Sequence, residues 1–222
     1  ETSPVISVNL PGAMKFGTVG RPIPDVEVKI ENDGEICVRG PNVMKGYYNK
    51  EKATREVIDH EGFFHTGDIG ELDEEGFLRI TDRKKDIIVT AGGKNIAPQP
   101  IEGRLKTNTY INEIVVVGNG RRFPSALVVP DFEKLGMWCK SQSIGVSTNE
   151  EIVNHPKVME LISAQIESLS EDFAQYERIK KITVLAKEFT IENGELTPTM
   201  KVRRKVIESR YKNLIDEMYR DM

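Results

Sequence analysis

Four short stretches of this 222-residue sequence set charged residues or paired glycines where they could bind a small molecule. In Thr66-Gly67-Asp68 a carboxylate follows a glycine. A carboxylate accepts two hydrogen bonds at once and so suits a cis-diol such as a nucleotide ribose. The same tripeptide, taken alone, equally suits a β-turn in which Asp68 caps a backbone N–H. Arg83-Lys84-Lys85-Asp86 is a compact charged run that by itself reads as a surface turn. Gly92-Gly93 fits either a hairpin turn or a place where a ligand passes close to backbone. Lys201 opens a basic run with Arg203, Arg204 and Lys205, and these last three are assigned to a solvated helical face, as most such runs are. His65 has no residue in its motif to form a nucleophilic pair and receives no catalytic role. Trp138 is assigned to packing.

These residues need elements to position them. Val26, Val28 and Ile30 alternate on one strand face, Asn32 to Gly34 make a tight turn, and Ile36 and Val38 return as a partner strand. A short helix holding Thr54, Glu56 and Val57 ends near Asp59. Residues 69–82 form a second hairpin, with Gly76 at the turn position that needs a positive φ. The texture changes after Lys85. A hairpin surrounds Gly92 and Gly93, a short helix starts near Pro98 or Pro100, and "INEIVVVGNG" and "FPSALVVPD" are strongly apolar strands. Residues 131–143 and 156–174 carry helical periodicity, the latter through Val158, Leu161, Ile162, Ile166 and Leu169. One more strand lies in "IKKITVLA". A single terminal helix over 200–222 aligns Val206, Tyr211, Leu214, Ile215 and Tyr219. The expected fold is α+β: a β-rich part over 1–84, and two to four strands covered by three helices over 85–222, with the division in "DRKKD".

Composition narrows the function. A net charge of -4 argues against a dedicated nucleic-acid binder. Cys37 and Cys139 form no CxxC pair, and His60, His65 and His155 lack zinc spacing, so a reducing compartment without a metal cluster is expected. No apolar run approaches the ~20 residues that span a bilayer. The chain opens on Glu1 rather than Met and reads as a piece of a longer protein.

Order of motifs is more specific than any one of them. "ETSP" at the start is similar to the end of a Y-G-x-T-E motif. "GEICVRGPNVMKGYYN" (34–49) follows, then "TGD" (66–68), "GFLRITDRKKDIIVTAGGKNIAPQPIE" (76–102) and "LTPTMKVRRK" (196–205). This succession resembles the adenylate-forming (AMP-binding) superfamily over the whole chain. "ITDRKKDIIVTAGGKNIAP" and "LTPTMKVRRK" resemble its long-chain fatty-acid–CoA ligases in particular. Many relatives read S-G-K before the late lysine, where this sequence has Thr199-Met200-Lys201.

The resemblance implies ligase chemistry: ATP, a fatty acid and CoA give acyl-CoA, AMP and pyrophosphate through an acyl-adenylate. It implies that residues 1–84 are the β-rich remnant of a large N-terminal domain and that 85–222 are a small mobile lid. By the same resemblance Asp68 binds the ribose hydroxyls, and Arg83 reaches ribose and phosphates. Lys85 is the hinge, Glu1 helps hold Mg²⁺, and Lys201 serves adenylation. Gly92 and Gly93 face the site during thioester formation. Alternatives are an adenylating enzyme for another carboxylate, or a non-catalytic binding module of the same fold. The fragment itself, without the family's phosphate-binding loop, is expected to be inactive. A cytoplasmic location is expected, with at most peripheral membrane contact in the parent.

Overall fold

The structure, a computed structural model, describes residues 1–220. The chain divides into two compact units, Glu1–Asp86 and Ile87–Met222.

In the first unit β1 (Ser7–Val8) pairs antiparallel with β2 (Arg21–Pro22). Next come β3 (Glu27–Ile30), β4 (Glu35–Arg39), α1 (Glu51–Val57), β5 (Phe64–Leu72) and β6 (Leu78–Arg83). A 3-10 turn, Lys84–Asp86, closes the unit. Strands β3 to β6 form an antiparallel meander in sequence order. Register follows the alternation of the sequence: Val28 faces Val38 and Ile30 faces Ile36. Val26, Ile36, Val38 and Leu78 form the core, with Val28 and Ile30 packed against it. At the β5–β6 turn Gly76 adopts φ +80°, which a side chain would oppose. There the Asp73 carboxylate accepts from the N–H groups of Glu75 and Phe77.

The second unit starts with a hairpin of β7 (Ile88–Val89) and β8 (Asn95–Ile96). It continues through α2 (Pro98–Leu105), β9 (Ile111–Val117), β10 (Ser125–Pro130), α3 (Phe132–Ser141), α4 (Asn149–Asn154) and α5 (Pro156–Leu169). Then come β11 (Ile182–Val184), α6 (Arg204–Arg210) and α7 (Lys212–Glu217). The sheet order is β11-β10-β9, with β10 antiparallel to β9 and parallel to β11. Both faces of β9 and β10 are buried. Ile114, Val116, Ala126 and Val128 pack on one side with residues of α2, α3 and α5. Val115, Val117, Leu127 and Val129 pack on the other with Phe189, Leu196, Ile207 and Ile215. Continuous apolar runs are what a sheet covered on both faces requires. Trp138 lies against the first of these cores.

Three sequence expectations change. The described residues of this unit hold six helices, where the sequence reading placed a short one near Pro98 and three longer ones; α4 had no counterpart in it. The helix expected over 156–174 ends at Leu169, where the Ser170 hydroxyl donates to the Ile166 carbonyl at 2.6 Å and residues 170–173 turn. The terminal helix begins only at Arg204 and is broken at Tyr211, whose φ of -98° and ψ of 17° leave the helical region. Tyr211 is held there by the buried Glu195 carboxylate, which accepts its hydroxyl at 3.0 Å, and by an edge contact with Phe189. The last two residues of that expected helix, Asp221 and Met222, lie outside the described residues.

Candidate functional site

Asp68 and Arg83 face each other across the β5–β6 ladder. Arg83 Nε lies 2.6 Å from Asp68 Oδ1. Both side chains keep solvent access, so the second carboxylate oxygen stays able to accept from a ligand. The bulge of β5 at Thr66–Asp68 is fixed locally. The Thr66 hydroxyl donates to the Ile36 carbonyl at 2.7 Å and accepts from the Asp68 N–H at 3.1 Å. Gly67 sits at φ +70°.

Beneath this bulge lies a carboxylate that sequence reasoning did not single out. Glu35 is 4% exposed. Its Oε1 accepts the Gly67 N–H at 3.1 Å. Its Oε2 lies 2.8 Å from both His65 Nδ1 and the Lys84 ammonium. Lys84 also reaches Asp33 Oδ2 at 2.7 Å. Burial pushes the Glu35 carboxyl upward, but the bonds from His65 and Lys84 outweigh it and hold the group below the ordinary carboxylate range. Lys84 is raised in turn, through Asp33 first and then Glu35.

Two statements about His65 and the cysteines need correction. His65 does have a thiol partner, since Cys37 Sγ lies 3.3 Å from its Nδ1. Glu35, Cys37 and His65 also place ligand-type atoms within 4.8 Å of one another. The pairing follows from β4–β5 register, in which Cys37 faces His65. It does not make a nucleophile: Cys37 is fully buried, and burial followed by the Glu35 charge pushes its thiol up to about 12. The Lys84 ammonium, 2.8 Å from Glu35 Oε2, brings a positive charge to this cluster.

Glu1 is exposed, and its Oε1 accepts from the Tyr47 hydroxyl at 2.7 Å. The Met44 N–H donates to the Glu1 carbonyl at 2.7 Å. Lys85 lies exposed in the 3-10 turn.

In the second unit Gly92 and Gly93 cap the β7–β8 hairpin and are exposed, with the Thr90 hydroxyl alongside Gly92 and open space beside Gly93. The loop is pinned by Gly93 N–H to the Thr90 carbonyl at 2.9 Å and Ala91 N–H to the Arg121 carbonyl at 2.7 Å. Lys201 is exposed at the end of a tight loop closed by the Leu196–Val202 bridge. Its N–H donates to the Thr197 hydroxyl at 3.0 Å, and its carbonyl accepts the Thr197 N–H at 2.8 Å. Met200 just before it has φ +61°, the left-handed region, which explains why S-G-K suits this turn.

Arg204, assigned to a solvated face, is instead largely withdrawn from solvent. Its Nη2 pairs with both Glu102 oxygens at 2.7 and 2.9 Å, and its Nη1 donates to the Val116 carbonyl at 2.6 Å. Glu102 Oε1 also accepts the Val116 N–H at 2.7 Å. The pair thus satisfies the open edge of β9 and ties α6 to α2, which sets the root of the Lys201 loop. Arg203 and Lys205 are exposed.

With this geometry in view, the comparisons with known proteins are specific. Residues 85–222 match the AMP-binding enzyme C-terminal domain and residues 1–48 match the AMP-binding enzyme family. A long-chain-fatty-acid–CoA ligase of Mycobacterium bovis is 41% identical over 221 residues, covering 99% of this chain and 36% of that protein. Long-chain-fatty-acid–CoA ligase 1 of Homo sapiens is 36% identical over 226 residues, covering 96% of this chain and 32% of that one. The chain therefore spans about a third of the length of these relatives. Among solved structures, O-succinylbenzoate coenzyme A synthetase from Bacillus subtilis, in complex with ATP and magnesium, is 30% identical with a TM-score of 0.59, covering 86% of this chain and 35% of that one. The adenylation domain of a carboxylic acid reductase from Segniliparus rugosus shares the fold at 23% identity with a TM-score of 0.73, covering 90% and 32%. Family match, motif order and fold agree: the chain belongs to the AMP-binding enzyme family and carries that family's C-terminal domain at residues 85–222.

Proposed function

We propose that the chain is the C-terminal part of an ATP-dependent long-chain fatty-acid–CoA ligase, which joins a fatty acid to CoA through an acyl-adenylate and releases AMP and pyrophosphate. The observation that carries the substrate class is 41% identity over 99% of the chain to a ligase of that name. Asp68 accepts from the ribose hydroxyls, with Arg83 fixing the carboxylate and reaching toward phosphate. Carboxylate attack on the α-phosphorus brings two anions together, so a preorganised cation is needed there. Lys201 supplies it, as a compact charge on a long stem at the end of a rigid loop. Glu1, a hard carboxylate ligand beside the Tyr47 hydroxyl, would help hold Mg²⁺. When bound there, Mg²⁺ would offset charge on the phosphates. A turn of the chain at Lys85 then withdraws Lys201 and presents Gly92-Gly93, where an exposed backbone leaves room for the pantetheine arm of CoA.

The test is fatty-acid-dependent pyrophosphate release by the chain extended upstream to the length of its relatives, over carboxylates of increasing length. Peak kcat/KM at long chains is expected, with background turnover from the 222 residues alone. A preference for short, aryl or amino acids would overturn the substrate class. Robust turnover by the 222 residues would overturn their dependence on an upstream half.

A further inference from the structure

We propose that Glu35 is a positioning residue for nucleotide binding: one oxygen of its buried carboxylate holds the Thr66–Asp68 bulge of β5, and the other anchors Lys84, the residue before the hinge. The inference rests on the reading of Asp68 as the ribose-binding carboxylate and adds to it a group that never touches the ligand.

The geometry leaves Glu35 little other purpose. A carboxylate that is 4% exposed is costly to bury unless every lone pair finds a donor, and here three donors converge on it. They come from different places in the sequence. Gly67 N–H belongs to the β5 bulge that aims Asp68, His65 lies on the same strand just before it, and Lys84 follows the β6 residue that pairs with Asp68. Glu35 therefore touches both ends of the Asp68–Arg83 pair through their immediate neighbours. Asp33 completes the hold on Lys84 from the β3–β4 turn. With the ammonium fixed between two carboxylates, Lys84 belongs to the rigid side and Lys85 is the first residue released to turn.

A loosened bulge would have to be reordered each time a nucleotide binds, so the cost falls on ATP affinity rather than on the chemical step. Gln at position 35 keeps the size but replaces an acceptor with a donor that faces the Lys84 and His65 donors. In the full-length protein, Glu35→Gln and Lys84→Met are each expected to raise KM for ATP about tenfold. They should leave kcat within about twofold and KM for the fatty acid unchanged. Because both act through one clamp, the double variant should be no worse than Glu35→Gln alone. Lys84→Arg, which keeps the charge, should restore most of the affinity. Lys15→Met, which breaks a surface pair with Asp73 and Glu75 in the same unit, should change none of these constants.

An unchanged KM for ATP in folded Glu35→Gln would overturn the proposal, as would a defect confined to kcat or a double variant equal to the product of the singles. Should Glu35→Gln fail to fold, the exposed Lys84 variants decide by the same KM split. A wild-type protein without fatty-acid-dependent turnover would instead sink the ligase reading itself, so the two failures are distinguishable.

Discussion

Replacing Arg204 by methionine is expected to destabilise the Ile87–Met222 unit by about 3–5 kcal/mol, the range for breaking a buried ion pair from one side. Arg204 and Glu102 side chains are only 12% and 13% exposed, so solvent does little to screen the loss. Methionine keeps most of the aliphatic stem in place but removes three hydrogen bonds. Glu102 loses its countercharge, and the Val116 carbonyl on the edge of β9 loses a donor, itself worth about 1–3 kcal/mol if nothing replaces it. The two losses share one site and are not summed. Trp138, the one tryptophan, packs in this unit and reports its unfolding by fluorescence. With a urea m-value of about 2 kcal/mol/M, the midpoint should fall by about 2 M. The double variant Glu102→Leu/Arg204→Met should recover part of the loss, because no buried charge is left behind. A shift below about 0.5 M in Arg204→Met would mean the guanidinium is a solvated surface cation, and the reasoning would fail.

Further outcomes follow from the same geometry. Burial raises both thiols, Cys37 to about 12, so neither Cys37 nor Cys139 should react with iodoacetamide at pH 8 until the chain unfolds; rapid labelling of the native protein would contradict this. Met200 at φ +61° carries about 1–2 kcal/mol of left-handed strain, against which glycine loses about 0.5–1 kcal/mol of chain entropy. Met200→Gly should thus be neutral to stabilising, and a clear fall in midpoint would refute the strain. Asp33, chiefly through Lys84, and Glu35, through His65 and Lys84 against its burial, are held below the ordinary carboxylate range. As pH falls the unfolded chain takes up protons first. The stability these groups confer is therefore complete above that range and lost as pH drops through their lowered values. Glu35→Gln should flatten the acid limb of a stability–pH curve, and an unchanged slope would count against the network.

What the sequence revealed depended on the range of the interactions. The hairpins of the first unit were legible because Val26, Val28 and Ile30 alternate and glycines mark the turns, all within a few residues. Strands β9 and β10 were legible as apolar runs for the same reason. Helix α4 was missed although Thr148 and Glu151 form a capping box that the sequence displays, a signal overlooked rather than absent. The break at Tyr211 was not legible, since it depends on a tyrosine reaching Glu195, 16 residues earlier. Arg204 read as solvated because its partner lies 102 residues away on another helix. Glu35, Cys37 and His65 are joined only by strand register, which no local pattern discloses.

The role proposed for Lys201 is tested most directly by separating the two proposed half-reactions in the full-length protein. Lys201→Ala should lower acyl-AMP formation by roughly 10²-fold or more, as loss of a preorganised charge donor worth about 3 kcal/mol does. Thioester formation from supplied acyl-AMP should be nearly spared. Lys85→Pro, which fixes φ at the proposed hinge, should show the reverse pattern, so general unfolding is excluded by the contrast. Equal impairment of both half-reactions by folded Lys201→Ala would contradict the assignment.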